Sequence, residues 1–174
     1  GYLPYFQAAF PGEENPITFI NIARAIATFE RTLITPNDGL DRYLRGETDA
    51  LSADAQRGME IVVQLGCVAC HQGPMLSLGV LMPFRHGEDL GLANVTGQEA
   101  DQFMFRVATW RNVSLTAPYF HDGSAATLED AVRTMGVVQL QRDLTEEEVF
   151  YIVAFLESLE GEMPVVNIPA LPAD

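Results

Sequence analysis

The residues with the most chemistry to offer are packed into one pentapeptide, Cys67-Val68-Ala69-Cys70-His71, within the stretch QLGCVACHQGPML. Both of the chain's two cysteines lie here, followed at once by one of its three histidines. Three chemistries use thiols and an imidazole in this way. In covalent haem attachment the thiols become thioethers: one helical turn presents both sulfurs to a single porphyrin edge, and the adjacent histidine points at the iron. A closed zinc site needs four ligands, and the remaining His86 and His121 are neither near the motif nor paired. A thioredoxin-type dithiol should follow a strand and open a long helix, whereas this motif follows a helical pattern and enters a Gly/Pro loop. Two buried structural cysteines in a chance arrangement are the fourth reading. Haem attachment fits best, and it leaves no thiol spare.

A haem iron held by His71 has a second face. The residues able to bind there are Met59, Met75, Met82, Met104, Met135, Met163, His86 and His121, or the position is empty. A methionine is more often core filler than ligand. Met75 is too near His71 in sequence to cross to the opposite face, and Met59 reads as core on the preceding helix. Met135 stands beside Gly136, after a short helical pattern and ahead of the last one, where a loop can fold over the haem. It is the preferred candidate, with Met104 and Met82 behind it.

The elements that must position these residues read as follows. NPITFINIARAIATFERTLITPNDG is helical, with Asn15 as cap, Pro16 in the first turn and Ile22, Ile26, Phe29 and Leu33 on one face. Pro36-Asn37-Asp38-Gly39 stops it, and a short helix over 40–45 follows. Ser52 caps a helix to about Gln64, with Met59, Val62 and Val63 on one face, and Gly66 ends it. Residues 72–113 have no sustained periodicity, which in a compact domain implies that they wrap something. Thr127 opens a helix that Gly136 closes. Thr145-x-x-Glu148 is a capping box for the final helix, whose apolar face is Val149, Ile152, Val153, Leu156 and Leu159. A Pro-rich tail completes an all-α pattern with little strand.

At 174 residues, 48% of them hydrophobic, the chain suits one cored domain plus an arm. No apolar run of 18 residues is present, so no membrane span is expected. The net charge is −14, which argues against nucleic-acid binding because counterion release requires clustered positive charge; all ten basic residues are arginine. Residue 1 is Gly, so the chain is expected to be cut from something longer.

The segments NPITFINIARAIATFERTL, DRYLRGETDALSADAQRGMEI, GCVACHQGP, WRNVSLTAPYFHDGSAATLEDAV, MGVVQL and LTEEEVFYIVAFLESLEG, with the tail PVVNIPALP, together resemble the C-terminal haem domain of the bacterial di-haem cytochrome c peroxidases. The resemblance implies a class I cytochrome c-like domain over residues 16–174, with long haem-wrapping loops and a Pro-rich tail over 161–174. Residues 1–15 would be an arm joining an upstream haem domain. It implies one covalent haem c on Cys67 and Cys70, with His71 and Met135 as axial ligands; relatives that oxidise a protein tryptophan carry tyrosine at the Met135 position. The domain would take electrons from a small carrier, a cytochrome c or cupredoxin, and pass them to the upstream peroxidatic haem, where hydrogen peroxide becomes water. A free-standing mono-haem electron carrier is the alternative function. The resemblance further implies a homodimer, a periplasmic location, and an interdomain calcium ion held partly by backbone oxygens of Thr116 and Pro118. Arg111 and His121 lie in the same block, with a propionate, interdomain or structural role. The chain departs from the family in lacking a second Cys-x-x-Cys-His and in carrying Trp110 before Arg111-Asn112.

Overall fold

The computed structural model describes residues 1–172. Its elements, in chain order, are α1 (Leu3–Ala9), α2 (Phe19–Glu30), α3 (Gly39–Leu44), α4 (Ala53–Gln64), β1 (Leu81–Pro83), α5 (Ala93–Thr96), β2 (Met104–Arg106), α6 (Leu128–Leu140) and α7 (Glu146–Glu157). The regular structure of the described residues is thus mostly helical, and β1 and β2 pair antiparallel with Met82 opposite Phe105. The chain forms two compact units, Pro36–Glu162 and a second made of Gly1–Thr35 with the segment from Met163. Residues 16–35, assigned to the haem domain from the sequence, group here with the first fifteen.

The larger unit is built on α4 against α7. Ala55, Ile61 and Val62 of α4 are buried with Val149, Ile152, Val153, Phe155 and Leu156 of α7, and Leu159 is fully enclosed just beyond. Each such branched side chain contributes about 1.5–3 kcal/mol by leaving water. The two helices approach so closely at Gly58 that a Cβ there would collide with the Tyr151 carbonyl and the Phe155 Cβ. Leu128, Ala131 and Val132 of α6 complete this core.

Local sequence chemistry starts most of these helices. The Ser52 hydroxyl accepts from the Ala55 N–H at 3.1 Å, Thr127 from Asp130 at 3.1 Å and Asp38 from Asp41 at 2.8 Å. The capping box of α7 is complete, Thr145 Oγ1 accepting from the Glu148 N–H and the Glu148 carboxylate from the Thr145 N–H. Such caps satisfy donors that would otherwise have no intrahelical partner.

Four sequence expectations change. Gly136 does not close its helix: it is buried within α6, where a Cβ would strike Leu144. Gln141, left-handed at φ 54°, ends the helix and donates its N–H to the Gly136 carbonyl. Thr18, not Asn15, caps α2, because Pro16 is buried ahead of it and its carbonyl is taken by the Asn21 side chain at 2.9 Å. Val63 faces solvent, and Gly58 and Ile61 take its place on the buried face of α4. The first fifteen residues hold the helix α1 rather than a bare arm.

In the smaller unit, buried Asn21 ties the helix to its approach, donating to Glu13 at 2.7 Å and to the Pro16 carbonyl. The α2 stripe read from the sequence is real in spacing, yet Ile22, Ile26 and Phe29 are all exposed.

Candidate haem-attachment site

The site is built where α4 stops. Leu65 still donates to the Ile61 carbonyl, and Gly66 at φ 81° turns the chain out of the helix. That left-handed conformation is costly for any residue with a Cβ. Cys67–Ala69 then forms a single 3₁₀ turn, and the Cys67 carbonyl accepts from Cys70 at 3.3 Å and from His71 at 3.1 Å. One turn therefore gathers both sulfurs and the imidazole. Both cysteines are half-buried, and burial pushes the Cys67 thiol up.

His71 is buried. Burial pushes its pKa down, with carbonyls of Leu76 and Ala108 beside the ring opposing the shift. None of these contacts is a well-formed hydrogen bond to Nδ1, which is buried without a partner. The imidazole lies flat against Trp110, with ring centres 4.4 Å apart and planes 10° from parallel. Trp110 in turn meets Phe155 of α7 edge-on at 6.3 Å. A buried polar nitrogen lacking a partner is rare in a folded protein and asks for an explanation. A neutral imidazole beside two thiols on one turn is the donor set that a covalently attached haem requires, so the residues present fit that group.

The other candidates are dispersed. Met135 is half-buried on α6, within the helix rather than in the loop expected for it. Met59 packs on the core; Met75 and Met82 are exposed, Met104 lies on β2, and Met163 is exposed in the smaller unit. His86 packs against Phe84 and Phe120. His121 is 72% exposed, its Nδ1 2.7 Å from Asp89 Oδ2; Asp89 is held below the ordinary carboxylate range by the Gly91 N–H first and by His121 second. Thr116 and Pro118 are exposed. Among the described residues no group of three or more His, Cys, Asp or Glu side chains could hold a metal ion.

One cluster was not foreseen. Arg111 Nη1 lies 2.5 Å from Asp38 Oδ2 and Nη2 2.9 Å from Asp41 Oδ1, with the Asp38 side chain fully buried. Arg111 Nε donates at 2.5 Å to the carbonyl of Pro74, in the loop that follows His71. The three partners are 37 to 73 residues away in sequence, beyond the reach of any local signal.

A mostly helical chain with Cys-x-x-Cys-His on one turn fits the class of cytochrome c-like proteins. Comparison with known proteins narrows this. The family described as "Di-haem cytochrome c peroxidase" matches residues 1–49. The chain is 44% identical to the "Cytochrome c551 peroxidase" of Nitrosomonas europaea over 98% of its own length and 53% of the relative's. It is 42% identical to that of Pseudomonas aeruginosa, over 99% and 53%. It is 30% identical to the "Methylamine utilization protein MauG" of Methylorubrum extorquens, over 99% and 53%. Among solved structures, a "MauG-like protein associated with microbial copper homeostasis" superposes with a TM-score of 0.70 at 29% identity, covering 92% of this chain and 59% of that one. The chain belongs to the di-haem cytochrome c peroxidase family, and it spans about half the length of the curated relatives it matches.

Proposed function

We propose that this chain is the electron-transfer portion of a di-haem cytochrome c peroxidase. It would take electrons from a small redox protein, a cytochrome c or a cupredoxin, and pass them to a second haem where hydrogen peroxide is reduced to water. The observation that carries this reading is the single turn holding Cys67, Cys70 and a buried His71, in a chain more than 40% identical to named cytochrome c peroxidases.

Cys67 and Cys70 would hold the haem through thioethers, His71 would bind the iron on one face and Met135 on the other. When bound, the haem supplies a one-electron couple whose potential methionine ligation raises. With His71 and Met135 both holding the iron, peroxide would find no vacant position, and this portion alone would move electrons. Peroxide chemistry belongs to the upstream haem domain, for which the exposed Ile22, Ile26 and Phe29 of α2 offer an apolar surface. Covalent haem attachment of this kind is completed outside the bacterial cytoplasm, which supports a periplasmic location. Among the described residues no helix is long and apolar enough to cross a membrane. A homodimer, and an interdomain calcium ion taking backbone oxygens of Thr116 and Pro118, follow the family pattern.

Mass spectrometry and the near-infrared spectrum test the reading. Produced with haem-attachment machinery, the chain should gain the mass of one haem and show a methionine-to-iron charge-transfer band. Met135→His should abolish that band and lower the potential markedly; if the band survives, the ligand is another residue. A wild-type chain without covalent haem would end the proposal.

A further inference from the structure

We infer that Thr109-Trp110-Arg111 is a positioning strap for the axial imidazole, setting the plane of His71 and through it the potential of the haem. The inference rests on the haem reading above and extends it to three residues that touch neither thioether nor iron.

His71 needs such support. It leaves a single 3₁₀ turn and enters an irregular loop, so no helix or strand holds its ring. Three consecutive residues supply what the local backbone lacks, two by hydrogen bonds to the loop and one by stacking. Thr109 Oγ1 donates to the Met75 carbonyl at 2.5 Å. Trp110 lies flat on the imidazole at 4.4 Å. Arg111 Nε donates to the Pro74 carbonyl at 2.5 Å. Just upstream, the Ser77 hydroxyl donates to the Val107 carbonyl at 2.6 Å, joining the two segments at a further point.

The strap is itself fixed to the core. The guanidinium is divided between Asp38 and Asp41, and Asp38 also caps α3. Trp110 abuts Phe155. The Asn112 N–H donates to the Leu159 carbonyl at 3.0 Å, and its side-chain oxygen accepts from the Gly161 N–H at 2.8 Å. With Nε, Nη1 and Nη2 all engaged within the protein, Arg111 acts here as a rigid fork, a role lysine cannot copy. Groups that orient a metal-binding histidine tune the metal as well as the ligand, and a parallel ring at stacking distance restricts rotation of the imidazole about its own bond.

The test uses the 174-residue chain carrying its haem. Thr109→Val, Trp110→Leu and Arg111→Lys are compared with wild type by midpoint potential and by the paramagnetically shifted haem-methyl resonances of the ferric form, which report the imidazole plane. Trp110→Leu should change the order or spread of those resonances, all three should displace the potential, and Thr109→Ser should restore wild-type values. The near-infrared methionine band should stay, showing that the sixth ligand is undisturbed. Thr109→Val removes one hydroxyl from an exposed position, so it keeps the test available if a bulkier change prevents folding. Variants that load haem and match wild type in both measurements, even with lowered melting temperatures, would overturn the strap as a positioning device. A wild-type chain that takes up no haem would instead remove the functional reading beneath it.

Discussion

Gly58 shows how much one missing carbon can decide. Its position on α4 faces the backbone of α7 with no room for a methyl group. Gly58→Ala gains helix propensity, yet it must push two packed helices apart, and overpacking of this kind costs about 1–3 kcal/mol. We expect a lower denaturation midpoint at unchanged denaturant slope; a variant as stable as wild type would refute the tight α4–α7 contact. The collision is with backbone rather than with the tip of a flexible side chain, so relief requires moving a helix. Because α4 leads directly into the Cys67 turn, such a shift would also reach the site.

At the scale of the element, α7 is the clearest case of local sequence dictating structure. Thr145→Ala should cost about 1 kcal/mol by leaving an end donor unmet. The box also makes stability depend on pH. Glu148 is held below the ordinary carboxylate range, first by the Thr145 N–H and then by Arg142. A group whose folded pKa is depressed gives stability that is present above its unfolded pKa and lost as pH falls through the folded one. Acid titration of the melting temperature should therefore show a loss below the ordinary glutamate range, and Glu148→Gln should shrink that loss; an identical acid limb in both would contradict it. Elements of this kind were legible beforehand: Ser52, Thr127 and Thr145 act within four residues of themselves, as does the Cys67–His71 turn. Gly136 was misread because a glycine ends a helix only if nothing else explains it, and Leu144, which packs over it, comes from beyond the helix. The Arg111–Asp38 pair and the Trp110–His71 stack were hidden for the same reason at longer range: their partners meet only once the chain has folded.

Taken whole, the molecule combines a strong net negative charge with exposed apolar side chains on one helix. A net charge of −14 favours fast, salt-sensitive encounter with a basic partner. The smaller unit leaves Ile22, Ile26 and Phe29 exposed on one helix. On the proposed reading its cover is the upstream haem domain. Ile26→Glu or Phe29→Glu should weaken association of this chain with that domain in size-exclusion or pull-down assays while leaving the chain's haem spectrum unchanged; undiminished association would move the contact elsewhere. The stacked pair at the centre of the site has a consequence of another kind. Trp110 is the chain's single tryptophan, and it stacks on the His71 imidazole, which on the proposed reading binds the iron. Its emission thus comes from one wall of one site, and haem is an efficient energy acceptor. The protein has an optical gauge built in, so cofactor loading can be followed in real time without a label.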